Sequence, residues 1–519
     1  MSYSHIVIGA GHNGLTCAAY LAKSGAKVLV LEARSQPGGA AATEEIAPGY
    51  RVSSCAHLLY QLHPRIMLDL ALDRHGLEFS AKNITTTVLA GDGAALTMLD
   101  GKATGNISEK DAQNWPIFWA RMKKIARHLQ PMLLMSPPRL AGRDLSQNLD
   151  LLKLGWSIRS LGREDMREFL RIAAMNVYDL AADYFDSPLI KVRISADAVL
   201  GTTLGPRSPG SVLSLLYKLT GALNGVQGAM ALPKGGMGAV SGALLRAGAV
   251  RGVDLRLGQR VRRIIVADGK ASGVETDTGE IIEAANVISN ADIAKTMVSM
   301  VGAQHIDAGF QRDVSKIRSK GATAKLNLAL SALPNFTGAD AQALAGRLLL
   351  TESIEQIELA FNPAKYGQWS KHPLLEVVIP SVTDPALAPA GHHVLSAIVQ
   401  YAPYQVESGW ASQREPFQRD VMAHLEHFAP GIGASVVGTD LKTPADLEAQ
   451  FGLPGGHWHH GELAIDQLLM LRPVAGAARY ATPVENLFLC GAGCHPGGGV
   501  MGAAGYNAAR AVLAKRQAA

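Results

Sequence analysis

Ile6-Val7-Ile8-Gly9-Ala10-Gly11-His12-Asn13-Gly14 opens the chain and decides its fold. Three apolar β-formers read as a short strand buried on both faces. They run into a full G-x-G-x-x-G, and a helical stretch follows to Ser24, closed by Gly25. A second apolar strand, Lys27-Val28-Leu29-Val30-Leu31, ends in Glu32, 18 residues after Gly14. Each part has a physical job in holding a dinucleotide. Gly9 permits the sharp turn, Gly11 lets the backbone approach a pyrophosphate, and Gly14 lets helix and strand pack closely. The helix amino terminus, with Ala10 and Asn13 beside it, offers free N–H groups and a positive dipole end. Glu32 accepts hydrogen bonds from ribose hydroxyls.

Working outward, Ala33 and Arg34 lead into Pro37-Gly38-Gly39. This second glycine pair turns the chain back beside the same pyrophosphate and extends the site along a longer ligand. FAD fits that length better than a nicotinamide dinucleotide.

Composition bounds the rest. A chain of 519 residues exceeds one ordinary core, so two intergrown domains are expected. With 48% hydrophobic and 18% charged residues it is neither disordered nor a polyelectrolyte. A net charge of +5 gives no footprint for nucleic acid. Cys17, Cys55, Cys490 and Cys494 are too few for a disulfide scaffold, and the C-x-x-x-C spacing of the last two is neither a redox nor a zinc motif; all four read as reduced. The long charge-free run 486–509 holds seven glycines, so it is not a membrane span. A cytoplasmic protein is expected.

From Val253 to Ala291 short strands and Asp-Gly or Thr-Gly turns read as a β-meander, with Val261 at its head counted among the cofactor-binding residues. Asn286-Val287-Ile288-Ser289 then reads as a separate strand returning to the main sheet. The fold class is therefore α/β, a Rossmann-like FAD-binding domain interrupted by an inserted α+β substrate domain. The expected pieces are 1–60 (cofactor), 61–232 (mainly helical insertion), 233–294 (cofactor, meander), 295–480 (substrate, mixed sheet and helices) and 481–519 (cofactor).

Within the helical insertion, Trp115, Phe118, Trp119, Met122, Ile125 and Leu129 share one face, opened by a capping box of Ser108 and Asp111. Core packing is the expected role. Arg121, Lys123, Lys124 and Arg127 on the same helix leave peripheral membrane contact as an alternative. Met166, Phe169, Leu170, Ala173, Val177, Leu180 and Tyr184 form a second stripe. Pro233-Lys234-Gly235-Gly236-Met237-Gly238 is either a tight turn or a second approach to the cofactor. Lys325-Leu326-Asn327-Leu328 alternates, so periodicity alone favours a solvated Lys325 over one facing an enclosed cavity. His457-Trp458-His459-His460 looks like a metal set, but consecutive histidines converge poorly on one ion, and a loop lining the substrate cavity is expected instead.

Near the carboxyl end, Leu487-Phe488-Leu489 precedes Gly491-Ala492-Gly493-Cys494-His495-Pro496-Gly497-Gly498-Gly499-Val500-Met501-Gly502 and a helix of small residues. Too little chain remains for a second nucleotide domain. Gly491, Gly498, Val500 and Met501 are expected at the far end of the same ligand, where a helix dipole stabilises an anionic reduced flavin ring.

These motifs, with Pro454-Gly455-Gly456 and His460-Gly461-Glu462, resemble the phytoene desaturase family of flavoproteins within the amine oxidase-like superfamily. They are most similar to its pyridine nucleotide-disulfide oxidoreductase domain-containing branch. The resemblance covers nearly the whole chain. It implies a glutathione-reductase-type FAD domain, a largely apolar substrate cavity and an apolar small-molecule substrate. The electron acceptor is left open among oxygen, a quinone and a protein, as is homo-oligomerisation. The resemblance also implies an active-site place for Lys325, on the strand where amine oxidases carry a lysine that holds a water near flavin N5. Lys325 and His495 are the candidates for proton handling. The chain departs from many relatives at Ala40, where they carry arginine, and no redox disulfide is visible despite the branch name. The expected reaction is dehydrogenation of a C–C bond by hydride transfer to flavin N5. The alternatives are an amine oxidase and a non-enzymatic lipid or prenyl carrier.

Overall fold

The computed structural model describes residues 3–138, 152 and 155–518. Two sheets organise them. In the first, Asp254–Arg256, Val28–Leu31, Tyr3–Ile8, Ile281–Ser289 and Leu487–Leu489 lie side by side, all parallel. The helices His12–Lys23, Gly238–Ala249 and Ala503–Ala518 pack together beside it, the first against both others. That contact needs small residues. A Cβ on Gly505 would come within 2.1 Å of the Asn13 carbonyl oxygen.

The strand expected at 286–289 is one end of a nine-residue strand, Ile281–Ser289. Its first part pairs antiparallel with Lys270–Thr276, and its second part pairs parallel with Tyr3–Ile8. One continuous strand therefore belongs to both the meander and the parallel sheet. Asp254–Arg256, expected in the meander, instead extends the parallel sheet beyond Val28–Leu31.

The second sheet has eight strands, in the order Val436–Lys442, Thr323–Leu330, His393–Gln400, Leu375–Val378, Arg347–Leu350, Thr86–Leu89, Ala95–Leu99 and Lys102–Gly105. The last three lie within the insertion expected to be mainly helical, whose longest elements are helices but which also lends these three strands to the second sheet. Those stretches are short and rich in Thr, Val and Leu, suited to a pleated, half-buried surface. Thr323–Leu330 is buried on both faces, because helices and loops cover the sheet on each side. Period-2 alternation here separates a leucine face from a polar but enclosed face, and the solvated reading of Lys325 is overturned.

The helix Glu109–Leu129 buries Trp115, Phe118, Trp119, Met122 and Ile125 in the core, as expected. Ser108 Oγ accepts from the Asp111 N–H at 3.1 Å. The Asp111 carboxylate does not reach back to complete a box. It accepts from the Asp186 and Ser187 N–H groups at 3.0 and 2.7 Å. The basic residues of this helix have partners within the chain: Arg121 and Lys124 with Asp165, Lys123 with Asp100, Arg127 with Gln227. The second stripe breaks into two helices, Arg163–Ile172 and Val177–Tyr184, and leaves Leu170 exposed. No helix among the described residues is long and apolar enough to cross a membrane.

Candidate active site

A cleft of about 430 Å³ runs along the carboxyl edge of the parallel sheet. Gly9, Gly11, Asn13, Glu32, Ala33, Arg34, Gly39 and Val261 line it. The helix His12–Lys23 starts at Gly11 with no side-chain cap and no acid in its first turn, so its leading N–H groups face the cleft unanswered. Glu32 is held by the Ala10 N–H at 2.7 Å on Oε2 and the Arg34 N–H at 2.9 Å on Oε1. Ala10 thus orients the acid. Gly14 and Gly38 work at one remove. A Cβ on Gly14 would lie 2.1 Å from the Gly9 carbonyl oxygen, and the Gly38 N–H donates to the Ala10 carbonyl at 2.9 Å. The 233–238 segment is a tight turn, with the Gly235 N–H on Asp384 and the Gly238 N–H on Thr43, and it does not line the cleft.

The residues fit a dinucleotide. Asn13 Oδ1, Arg34 Nη1, Gln259 Oε1 and His460 Nδ1 are buried on this cleft without a hydrogen-bond partner among the described residues. Buried polar atoms are normally paired, and a polyhydroxylated, phosphorylated ligand supplies both donors and acceptors. Sequence reasoning missed Gln259, Asn290, Asp292, Lys295 and residues 448–453, because these come from loops and helix ends far apart in the chain that carry no dinucleotide-binding motif.

The cleft meets a second cavity where both are lined by His12, Ala40 and Trp458. The floor of this cavity is the second sheet. Lys325 and Glu376 both pair with Ile398, from opposite sides, so the three form one row across three strands. His57 bridges the row. Lys325 Nζ lies 2.8 Å from His57 Nδ1, and His57 Nε2 lies 2.9 Å from Glu376 Oε1. Behind Glu376 the chain of charges continues through Arg347 to Asp197, which also binds Lys218 and Arg193. Burial pushes Lys325 down to about 7 and His57 down to about 4. Burial opposes the Glu376 charge, but Arg347 and the His57 hydrogen bond outweigh it and hold the carboxyl well below its usual range.

Lys325 does not line the cavity itself; it reaches the wall through His57. The expectation of a largely apolar cavity is corrected in part. Leu58, Leu200, Ile398, Leu463 and Val500 give it hydrocarbon walls, but Asp197, Lys218 and Glu376 give it a charged side. His57 and this ionic cluster were invisible in the sequence, because their members are scattered from residue 57 to residue 376.

The carboxyl-terminal loop closes the space between the two. Val500 and Gly499 line the cavity, and a Cβ on Gly498 would lie 2.6 Å from His459 Cα. Tyr217 donates its hydroxyl to the Gly498 carbonyl at 2.6 Å. Gly491 packs against the Asn290 carbonyl, and Met501 is buried with its carbonyl accepting the His63 N–H. His495 is placed on neither lining: its Nε2 lies 2.7 Å from the Met132 carbonyl oxygen, tying the loop to the helical insertion. Trp458 and His459 line the cavity and His460 the cleft, as a cavity-lining loop requires. Buried Arg472 fixes that loop by donating to the carbonyls of Glu462 and Gly461. The four cysteines are buried free thiols.

The chain matches the family described as "Flavin containing amine oxidoreductase" over residues 14–297. It is 36% identical to pyridine nucleotide-disulfide oxidoreductase domain-containing protein 2 of Rattus norvegicus, covering 98% of this chain and 93% of that one. A limonene dehydrogenase component of Castellaniella defragrans is 27% identical over 98% of this chain and 94% of its own. A lycopene-forming phytoene desaturase of Pseudescherichia vulneris is 25% identical, covering 98% of both. Among solved structures, putrescine oxidase superposes with a TM-score of 0.62 at 15% identity over the full length of both, which shows the shared fold. Membership implies FAD, in keeping with the cleft. The chain belongs to the flavin containing amine oxidoreductase family and is a flavin-dependent oxidoreductase of the amine oxidase and phytoene desaturase superfamily.

Proposed function

We propose that this protein is an FAD-dependent dehydrogenase that desaturates a C–C bond of a hydrophobic substrate. The observation that carries the reading is the cavity with hydrocarbon walls and one charged side that meets the dinucleotide cleft at His12, Ala40 and Trp458. The names of two full-length relatives, a limonene dehydrogenase component and a phytoene desaturase, support it.

Desaturation removes hydrogens from neighbouring carbons, one as hydride and one as a proton, and leaves the second C–H electron pair as the π bond. Bound FAD supplies the hydride acceptor at N5. The chain supplies positioning, exclusion of water and a place for the proton. Leu58, Leu200, Ile398 and Leu463 hold the hydrocarbon and keep the site dry. Lys325 Nζ, near 7 and standing behind His57 of this wall, is the group able to end with the proton at neutral pH. Glu376 occupies His57 Nε2, which leaves Nδ1 for Lys325.

Loading the purified protein with FAD, bleaching it with dithionite and readmitting air tests the redox reading. Flavin bands that bleach and promptly return point to oxygen as acceptor, and slow return points to a quinone or protein. A protein that stays colourless after FAD would overturn the reading and favour a carrier. Turnover products two mass units lighter with the carbon chain intact are expected; release of ammonia from an amine would favour C–N oxidation.

A further inference from the structure

The charge on the cavity wall does not balance. Asp197 and Glu376 are two buried carboxylates, and three cations are bound to them, Arg193 and Arg347 buried and Lys218 half-buried. His57 and Lys325 complete the cluster and bring no negative charge. The neighbouring set is internally balanced, with Lys442 and Arg34 against Asp440 and Glu44. Asp197 and Glu376 are the only acids lining the cavity among the described residues. One positive charge therefore lacks a counter-ion inside a low-dielectric space, where an unpaired charge is costly.

Lys218 is the cation that meets the open space; Arg193 and Arg347 stand behind the lining. One of its three N–H donors goes to Asp197 Oδ1 at 2.6 Å, and its ammonium lies 4.9 Å from the Tyr60 ring centre. Ser214 stands one turn earlier on the helix Ser211–Leu219, so it shares a face with Lys218. Its Oγ is buried, lines the same cavity and has no partner among the described residues. An ammonium in excess and an unanswered hydroxyl donor thus stand side by side at the end of a hydrocarbon-walled space. The cavity is about 90 Å³.

We propose that the cavity takes an amphipathic carboxylic acid, its hydrocarbon chain on the apolar walls and its carboxylate bound by Lys218 Nζ and Ser214 Oγ. A single excess charge matches a singly charged carboxylate. This rests on the C–C dehydrogenation reading and names its substrate class. The same excess charge repels an alkylammonium, so the wall discriminates against amines.

Octanoate, octanol and octylamine, titrated calorimetrically into the full-length FAD-loaded protein, test the assignment. Octanoate is expected to bind at least tenfold more tightly than octanol, with octylamine weakest. In Lys218→Met the preference for octanoate over octanol should vanish while octanol affinity holds. In Ser214→Ala octanoate alone should weaken, by a few fold. Equal binding of octanoate and octanol to the wild-type protein would overturn the carboxylate site and leave hydrocarbon dehydrogenation standing. Tightest binding of octylamine would overturn both readings, as would no binding of any of the three.

Discussion

Gly11 and Gly14 show how two glycines of one motif answer to different demands. Gly11 has ordinary extended backbone angles, and a Cβ there would meet only the Asn290 side-chain nitrogen at 2.9 Å. Gly11→Ala should therefore leave the fold intact while weakening FAD, on the order of tenfold or more, read by fluorescence titration beside an unchanged urea midpoint. A Cβ on Gly14 would meet a backbone oxygen at 2.1 Å, which cannot step aside. Gly14→Ala is expected to cost about 1–3 kcal/mol of stability, and a urea midpoint like the wild type's would refute this. Lys325 couples stability to pH. Its pKa is 10.5 for the free side chain and about 7 in the fold. Between those values the unfolded chain binds the extra proton, so this group makes the fold least stable below about 7 and progressively more stable towards 10.5. The rise in unfolding free energy from pH 7 to pH 9 should be smaller in Lys325→Met than in the wild type. In activity the same titration should place an acid limb near 7, absent in Lys325→Met, whose kcat falls by on the order of 10²-fold.

At the scale of elements, the second sheet is bound to the helical insertion by charge rather than by apolar packing alone. Arg347, on an internal strand, joins Glu376 of the adjacent strand to Asp197 of the helix Pro188–Val199. Arg347→Met would leave Glu376 buried beside a neutral histidine. Breaking such a pair costs about 3–5 kcal/mol, and thermal unfolding of the variant should show it. A transition within a degree of the wild type would mean that the cluster relaxes around the loss. The strand Ile281–Ser289 has the corresponding role in the first sheet, carrying the meander into register with the nucleotide-binding strands. Its dual pairing was not legible, because periodicity reports which face is buried and not which neighbour a strand takes.

For the whole molecule, the long cleft and the adjoining cavity make cofactor and fold interdependent. The cleft reaches from Glu32 and Val261 at one end to Ala492 at the other, so a mononucleotide would leave the adenosine end unfilled. FAD at a hundredfold its dissociation constant should stabilise the fold by about 2.7 kcal/mol, and FMN at the same concentration should give a much smaller thermal shift. Equal shifts would argue against the Glu32 end as part of the site.

The sequence by itself determined the nucleotide end of this protein. The glycines, the helix start and Glu32 lie within 24 residues of one another, where strand–turn–helix geometry is local and each residue's job follows from its spacing. The carboxyl-terminal loop was legible as a glycine-rich approach to a helix, but not in its placement: Gly491, Gly498, Val500 and Met501, expected on the cofactor, do not line the cleft, and Val500 lines the second cavity instead. Only the tertiary structure decided the other wall. Lys325 looked solvated because alternation separates polar from apolar faces without saying what covers the polar one. His57, Asp197, Lys218, Arg347 and Glu376 became a cluster only when two strands of the second sheet, two inserted helices and the loop carrying His57 met. Each is an ordinary polar residue in its own segment. Their chemistry comes from shared burial, and no short-range pattern in the chain records that.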